Sequence, residues 1–285
     1  MSIRFSCTDF TFPLLAHGDV FRLISMLGIH GVDIGLLQDR SHIQPSHIAA
    51  DPAAAGTALR RQLEEHGLEA ADIFLQSALD FVSVAVNHPS AGVREKSRRD
   101  FLDALSFASA SGSSHITCLP GVCFEEDAEG ESWKRACSEL LWRTETAAAK
   151  GIAFGVEAHR GSIADTPALA KALVRDVNGL TLTLDYSHFI RSGFSQEEIS
   201  PLLAFAGHFH ARGASSKMMQ TPVCESEIDF GLLVRDMQKY GYNKTITLEY
   251  VYENWEDNFR CDTISETVLL KNLLEASAPE SQSAV

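Results

Sequence analysis

Short apolar runs of β type alternate with longer stretches of helical pattern along all 285 residues, and this alternation restricts the possible folds more than any other feature. The predicted strands lie at 3–7, 31–36, 70–75, 115–119, 152–157, 180–185, 207–211 and 245–249. The predicted helices lie at 19–27, 54–66, 93–111, 132–150, 167–176, 196–205, 230–240 and 264–274. Such regular alternation is typical of a parallel α/β sheet.

Eight strand–helix units without a change in composition predict one (β/α)₈ TIM barrel over residues 1–276, followed by a disordered C-terminal tail at 277–285. Most predicted strands are continuously apolar, as expected when helices cover one face of the sheet and a barrel interior covers the other. An open doubly wound sheet is the alternative. That fold usually carries a glycine-rich phosphate turn, and neither GxGxxG nor GxxxxGKS/T occurs in the sequence.

The chain carries 24 Lys and Arg residues against 38 Asp and Glu residues, which gives a formal net charge of −14. Nucleic-acid backbones and anionic membranes bind clustered positive charge, so we expect neither as a partner. No apolar run approaches the ~20 residues of a transmembrane helix, and residues 1–7 lack the basic and apolar segments of a signal peptide. These features predict a cytoplasmic enzyme.

Polar residues end four consecutive predicted strands in the second half of the chain. They are Glu157, Asp185, His210 and Glu249. Active sites of (β/α)₈ barrels lie at the carboxyl ends of the strands, so we expect these four side chains to converge on one mouth. Three carboxylates with one imidazole suit Mn²⁺, Mg²⁺ or Co²⁺ and could also hold Zn²⁺.

A single acid at a strand end often has a simpler explanation, because it can cap the strand or pair with a cation at the rim. Four strands in succession weaken that explanation. Converging carboxylates without a cation would repel one another at a cost on the order of several kcal/mol. The sequence therefore predicts a divalent-metal site, with Mn²⁺ as the first expectation.

Other histidines and an arginine near these strand ends are candidates for substrate binding. His159 and Arg212 each lie two residues beyond a proposed ligand and so share its face of an extended strand. His188, just past the sixth strand, is a candidate ligand of the substrate or of a second metal, and His88 belongs to a His-Pro element that can reach the mouth. The alternative for each is an ordinary loop or rim residue. His208 is expected to pack against a helix.

Five segments of the second half carry a resemblance to a known family. They lie at 156–159 (VEAH), 184–188 (LDYSH), 208–212 (HFHAR), 227–230 (EIDF) and 248–249 (LE). They resemble the successive strand-end motifs of the xylose isomerase-like TIM-barrel superfamily of sugar isomerases and epimerases. The resemblance implies a metal bound by the four strand-end residues. It also implies that Glu157 and Glu249 form the acid–base pair and that His188 and Arg212 contact substrate oxygens.

By this resemblance, the chain would be a divalent-metal-dependent isomerase or epimerase that abstracts a proton beside the metal-bound carbonyl of a keto-sugar, through an enediolate. The residues suit this chemistry, since a cation acidifies the C–H, one carboxylate removes the proton and an acid returns it. The alternative is a metal-dependent lyase or dehydratase that acts on a keto-sugar or keto-glycoside by β-elimination, as in inosose dehydratase-like and keto-glycoside-cleaving branches. His159 or His188 would then protonate the leaving group.

Two further classes are weaker alternatives. An apurinic endonuclease of the endonuclease IV type would share the barrel, Glu157, the spacing from Asp185 to His188 and a His-Pro element. The stretch at 218–228 has no histidine for its further metal motif, and the negative net charge also opposes it. A non-catalytic barrel that serves as a binding subunit is the other alternative. The resemblance also implies a homodimer or homotetramer.

Overall fold

The computed structural model describes residues 3–278, apart from the side chains of Trp255 and Asp257, and shows parallel strands closed into a barrel. The strands are β1 (Arg4–Thr8), β2 (Gly31–Leu37), β3 (Glu69–Gln76), β4 (His115–Cys118), β5 (Ala153–Glu157), β6 (Thr181–Asp185), β7 (Ala206–Ala211) and β8 (Thr245–Leu248). Each strand pairs with the next in chain order, and β1 closes the barrel against β8. The predicted (β/α)₈ TIM barrel is confirmed.

Helices follow the strands and pack around the barrel. They are α1 (His17–Met26), α2 (Pro45–Ile48), α3 (Pro52–Glu65), α4 (Ala91–Ser111), α5 (Glu131–Ala148), α6 (Pro167–Asp176), α7 (Tyr186–Arg191), α8 (Gln196–Ile199), α9 (Phe230–Lys239) and α10 (Thr263–Ser277). Within residues 3–278, none of them is both long and apolar enough to cross a bilayer. Positions 279–285 of the predicted tail lie outside the described residues.

Side-chain caps explain where several helices begin. Asp51, Thr166 and Asp229 each accept a hydrogen bond from the backbone N–H three residues later, at the starts of α3, α6 and α9. Pro52 and Pro167 occupy the first helical positions, where a missing N–H removes no helical hydrogen bond. Because these signals are local, the observed starts of α6 and α9 coincide with the predicted ones.

Two helices near the sixth strand differ from the prediction. The predicted helix at 196–205 is divided into α8 and a 3₁₀ helix at Ser200–Phe205, because Pro201 has no N–H to donate back along an α-helix. The sequence pattern did not predict α7, which begins directly after β6. Asp185 caps it by accepting a hydrogen bond from the N–H of Ser187 at 2.8 Å. This short helix positions His188 at the mouth of the barrel.

The interior of the barrel is polar at the level of the strand centres. Four buried hydrogen-bonded pairs lie there: Asp33–His208 at 2.6 Å, and Asp72–His115, Ser6–Thr247 and Thr117–Thr183 at 2.7 Å. Asp33 on β2 and His208 on β7 are not on neighbouring strands, so their hydrogen bond crosses the interior. Each of these buried polar groups therefore finds its partner on another strand, as buried polar groups require.

The expectation that His208 packs against a helix is wrong. The β6–β7 ladder contains a β-bulge, in which Ala206 pairs with Leu182 but the next pair joins His208 to Thr183 and leaves Gly207 as an extra residue. The bulge shifts the alternation of the strand, so both histidines of β7 face the interior. Because His208 and His210 lie two residues apart, they share one face of the strand, and the expected position of His210 at the mouth already indicates that His208 faces the interior.

Gly207→Ala is expected to destabilise the barrel by about 1–3 kcal/mol, because the added Cβ would clash with Oγ1 of Thr181 and lie 2.9 Å from Nε2 of His115. Gly18→Ala in α1 is the matched control, since no described heavy atom lies within 4 Å of its added Cβ and alanine favours a helix. Thermal unfolding followed by circular dichroism measures both variants. An unchanged unfolding midpoint for Gly207→Ala would contradict the close packing at the bulge.

Candidate metal centre

The carboxyl ends of β5 to β8 bring the four predicted metal ligands to one mouth of the barrel. Glu157 is the last residue of β5 and Asp185 is the last residue of β6. His210 lies near the end of β7, and Glu249 directly follows β8. All four side chains are buried. Their common location follows from the closed parallel barrel, in which all strands end on the same side.

Glu157, His210 and Glu249 form a compact group of donor atoms. Nδ1 of His210 lies 3.0 Å from Oε1 of Glu157 and 3.3 Å from Oε2 of Glu249. One donor atom of each residue lies within 4.8 Å of the other two. Donors bound at about 2.0–2.2 Å from one tetrahedral ion are about 3.3–3.6 Å apart, so this spacing is close to what a single cation needs.

Asp185 belongs to a second group that shares Glu157. Nε2 of His188 lies 3.8 Å from Oε2 of Glu157 and 3.7 Å from Oδ2 of Asp185, and the three residues offer donor atoms within 4.8 Å of one another. Oδ2 of Asp185 also accepts hydrogen bonds from Nη2 of Arg212 and from Oγ of Ser187, both at 2.7 Å. Asp185 is therefore shared between the candidate metal site and the guanidinium of Arg212.

A cavity of about 580 Å³ lies at this mouth. Its polar wall includes Glu157, His159, His188, Arg212 and Glu249. Its apolar wall includes Phe10, Leu37, Phe74, Leu79, Phe81 and Tyr252. Ligand sites in proteins are typically concave and largely apolar, with a few polar groups that fix the ligand's orientation. The cavity has this character, and five of its polar residues are ones that the sequence indicated near the strand ends.

The surroundings of Glu157 and His210 control their charge. Burial alone would raise the pKa of the Glu157 carboxyl, but hydrogen bonds and charge from His188 and His210 hold that pKa well below its usual value. Burial alone would lower the pKa of the His210 imidazole, but Glu249, Asp33 and Glu157 together raise that pKa well above its usual value. A positive charge at His210, from a proton or from a metal ion beside it, is therefore strongly favoured.

Arg212 and His159 complete the polar wall with one charged and one neutral group. Burial alone would lower the pKa of Arg212, but Asp185, Glu249 and Glu157 raise that pKa above its usual value. Burial, followed by the charge of His188, lowers the pKa of His159 to about 4, so its ring is neutral at neutral pH. Among the described residues, Nε2 of His159 has no hydrogen-bond partner, and this nitrogen is available to a ligand.

The residues of this site fit a divalent cation. Three carboxylates against the one guanidinium of Arg212 leave two negative charges when the imidazoles are neutral, and a divalent cation would balance them. Within the described part of the chain, Oε2 of Glu249 is buried without a hydrogen bond and lies 3.3 Å from Nδ1 of His210. Carboxylate oxygens with one imidazole nitrogen are donors that Mn²⁺, Mg²⁺, Co²⁺ and Zn²⁺ accept.

The structure separates His88 from the site and adds acidic residues below it. His88 follows β3, where its Nδ1 accepts a backbone hydrogen bond within its own loop and its ring packs against Phe124. A further buried cluster of donor atoms consists of Asp33, Asp72, His208 and His210. Sequence reasoning missed both aspartates. The signal that could have identified them is a lone acid within an apolar strand.

Comparison with known proteins agrees with this fold. A family model described as xylose isomerase-like TIM barrel matches residues 21–267. Similar solved structures include an L-ribulose 3-epimerase, at 14% identity with 97% of this chain and 96% of that chain covered and a TM-score of 0.75. They also include the IOLI protein with a bound zinc atom, at 14% identity with 96% of this chain and 98% of that chain covered and a TM-score of 0.74. A third is the probable 3-DHS dehydratase AsbF from Bacillus anthracis, at 15% identity with 95% of this chain and 99% of that chain covered and a TM-score of 0.71. At these identities the likeness establishes the fold alone. A search of curated protein sequences finds no match to the chain.

The affinity of the site for Mn²⁺ is expected to rise with pH. Without a cation, the raised pKa of His210 keeps a proton on its ring, and a cation has to displace that proton from Nδ1. One displaced proton makes the affinity increase about tenfold per pH unit until the pKa of His210 is reached. Titration calorimetry between about pH 6 and about pH 8, in two buffers of different ionisation enthalpy, measures the affinity and the protons released. An affinity for Mn²⁺ that does not change with pH would contradict this expectation. His88→Asn is the control, and its affinity should show the same pH dependence as that of the unmodified protein.

Proposed function

Because the chain belongs to the xylose isomerase-like TIM-barrel family, we propose that it is a divalent-metal-dependent isomerase or epimerase of keto-sugars. The observation that carries this proposal is that Glu157 and Glu249 line one cavity and both contact the same nitrogen of His210. Two carboxylates beside one candidate cation position suit proton transfer on an uncharged sugar. The L-ribulose 3-epimerase of the same fold supports this reaction class.

In this proposal the four buried strand-end residues hold the cation. We propose Mn²⁺, with Mg²⁺, Co²⁺ and Zn²⁺ as alternatives, since all four accept carboxylate oxygen and imidazole nitrogen. When bound, the cation would polarise the carbonyl and the neighbouring hydroxyl of a keto-sugar and so acidify the C–H beside the carbonyl. The zinc atom in the IOLI protein supports metal dependence in this fold.

Glu157 and Glu249 are the proton-transferring groups of the proposed reaction. Because the pKa of Glu157 is held well below its usual value, its side chain is an ionised acceptor at neutral pH. A carboxylate of low pKa is a weak base, so its role depends on a C–H that has already been acidified. Glu249, 3.3 Å from the same imidazole nitrogen, returns a proton. Return to the neighbouring carbon isomerises the sugar, and return to the opposite face epimerises it.

Arg212, His188 and His159 bind and orient substrate oxygens in this proposal. All three line the cavity. Arg212 stays charged because the surrounding carboxylates raise its pKa, despite its burial. Since it already donates to Asp185 at 2.7 Å and to Oγ of Ser187 at 3.0 Å, its guanidinium is held in one orientation. Fixed donors of this kind hold a substrate in a reactive position.

The charge of the cavity favours an uncharged substrate, such as a free sugar or an inositol-like ketone. The two arginines that line it, Arg40 and Arg212, each lie beside an acid, with Glu253 at 3.5 Å from the first and Asp185 at 2.7 Å from the second. A phosphate group is usually bound by guanidinium or ammonium groups that are not already neutralised. The lining residues therefore support a substrate without a phosphate.

A metal-dependent lyase or dehydratase is the second candidate, because the probable 3-DHS dehydratase AsbF has the same fold. Such an enzyme would remove the same proton and then expel a β-hydroxyl or a glycosidic oxygen of a keto-sugar or keto-glycoside, which needs a proton donor. Burial lowers the pKa of His159 to about 4, so its ring is a poor donor at neutral pH. His188 would therefore have to serve as the acid in a lyase.

The same proposal describes a cytoplasmic homodimer or homotetramer that acts on a small molecule. The formal net charge of −14 supports a small substrate over a nucleic acid, because a polyanion would be repelled. The resemblance to the family supports the oligomeric state in this proposal.

Glu157→Gln and Glu249→Gln are each expected to lower turnover by about 10²–10⁴-fold and to weaken metal binding while the protein remains folded. Each replacement keeps the shape of the side chain and removes its negative charge. Glu253→Gln is the matched control, since Glu253 lies at the rim of the same cavity and pairs with Arg40. Metal content, circular dichroism and turnover are measured together. Full activity in either variant of the site would refute the assignment of that residue.

Incubation with Mn²⁺ and a panel of keto-sugars in D₂O is expected to place deuterium on the carbon beside the carbonyl and to yield an isomeric sugar, both followed by NMR. Proton abstraction and return through the solvent require this exchange. An ultraviolet-absorbing enone without an isomeric sugar would instead establish the lyase. If no keto-sugar shows either signal, the proposed reaction class is wrong.

A further inference from the structure

We infer that Asp33 is a positioning residue for His210, and that it directs Nδ1 of that ring towards the candidate metal site. This inference rests on the proposed function, because it concerns one of the proposed metal ligands. Asp33 lies on β2, across the barrel from β7, and its side chain is fully buried. It is neither part of the cavity wall nor one of the strand-end acids.

The contacts of His210 divide its two ring nitrogens between two layers. Nδ1 faces the mouth, 3.0 Å from Glu157 and 3.3 Å from Glu249. Nε2 faces the interior, 3.4 Å from Oδ2 of Asp33. Among the described residues, Nδ1 is hydrogen-bonded to Glu157 and Nε2 has no hydrogen-bond partner. When a cation replaces the proton on Nδ1, the remaining proton lies on Nε2, and the carboxylate of Asp33 beside it stabilises that form. Histidine ligands of metals commonly have a carboxylate or a carbonyl in this position, which fixes both the tautomer and the ring orientation.

Asp33 is itself held firmly. Oδ2 accepts hydrogen bonds from Nε2 of His208 at 2.6 Å and from Oγ1 of Thr247 at 2.8 Å. The hydroxyl of Thr247 also lies 2.7 Å from that of Ser6 on β1. Residues from β1, β2, β7 and β8 thus determine where the carboxylate sits. A positioning group has to be rigid to orient its neighbour, and this network provides that rigidity.

The lower layer of the barrel interior consists of Asp33, Asp72, His115 and His208. The distances between its donor and acceptor atoms differ from those in the metal site above it. The Asp33–His208 and Asp72–His115 pairs are 2.6 and 2.7 Å apart, which is the distance of a hydrogen bond with a proton between the two atoms. Nδ1 of His210 is instead approached by two carboxylates, because it is hydrogen-bonded to Oε1 of Glu157 at 3.0 Å and lies 3.3 Å from Oε2 of Glu249. The lower layer therefore serves as hydrogen-bonded support.

Asp72 provides a matched control for the test. Like Asp33, it is a fully buried aspartate on a strand of the first half of the barrel, and it is bonded to one buried histidine. Oδ1 of Asp72 is bonded to Nδ1 of His115 at 2.7 Å, whereas the Asp72 carboxylate approaches His210 only within the 4.8 Å of the shared donor cluster. Asp33→Asn and Asp72→Asn therefore remove equivalent charges from the same cluster, but only the first removes the carboxylate that lies 3.4 Å from Nε2 of His210.

Titration calorimetry with Zn²⁺ is expected to show an affinity about 10–100-fold lower for Asp33→Asn than for the unmodified protein, with Asp72→Asn close to the unmodified value. Long-range ¹H–¹⁵N spectra of the Zn²⁺-loaded protein, assigned with His210→Asn, should show the Nε2–H tautomer of His210 as the single form. In Asp33→Asn the Nε2–H proton should move upfield and exchange faster with water, because its carboxylate neighbour is gone, whereas Asp72→Asn should leave both unchanged. If Asp33→Asn does not fold, Thr247→Val removes the hydroxyl that supports Asp33 and keeps the β-branched shape beside His210, and it should give a smaller loss of affinity.

Unchanged affinity in Asp33→Asn, or equal losses in both aspartate variants, would overturn the inference. Two bound equivalents of Zn²⁺, one of them lost in Asp72→Asn, would also overturn it, because the lower layer would then hold a metal itself. The affinity for Zn²⁺ is measured without any sugar, so it does not depend on the proposed reaction. If Asp33→Asn weakens Zn²⁺ binding but no keto-sugar reacts with the unmodified protein, the proposed reaction fails while the positioning role stands.

Discussion

Carboxylates buried inside the barrel each need a proton donor or a positive charge, and the arrangement of the interior depends on this requirement. A buried acid without a partner would lower the stability of the folded protein by on the order of several kcal/mol. In the lower layer each aspartate is bonded to one histidine, at 2.6 Å for Asp33 and 2.7 Å for Asp72. In the upper layer three acids, Glu157, Asp185 and Glu249, share the one permanent positive charge of Arg212 and two imidazoles, His188 and His210. The imbalance of the upper layer is what distinguishes the candidate site from the polar core beneath it.

The fold and the strand-end acids could be predicted because their signals are local. Apolar runs marked the strands, and capping residues such as Thr166 and Asp229 marked the helix starts. The orientation of His208 could have been predicted from its spacing of two residues from His210, whereas the bulge at Gly207 is defined only by pairing with β6. The lone acid Asp33 within an apolar strand is a local signal, but its partners lie 175 and 214 residues away in the sequence. Their identity, and so the role of Asp33, leaves no local pattern.

The two halves of the barrel contribute differently to the cavity. Apolar residues of its wall come mainly from β1 to β3 and the loops after them, such as Phe10, Leu37 and Phe74. The ionisable groups of the proposed chemistry follow β5 to β8. In the proposed enzyme, the second half carries out proton transfer and the first half selects the shape of the substrate. Different substrates could therefore be accommodated by changes in the first half that leave the acids in place.

Asp185 has two roles that compete for the same oxygens. Its carboxylate caps α7 through the N–H and hydroxyl of Ser187, at 2.8 and 2.7 Å, and it also offers a donor atom to the candidate site. His188, which lies on α7, therefore depends on the capped helix for its position. A ligand that draws the carboxylate towards the mouth weakens the first turn of α7, and fraying of that turn changes how the ligand is held. Occupancy of the cavity and the local folding of α7 are thus linked equilibria, and the backbone of α7 can report on binding at the site.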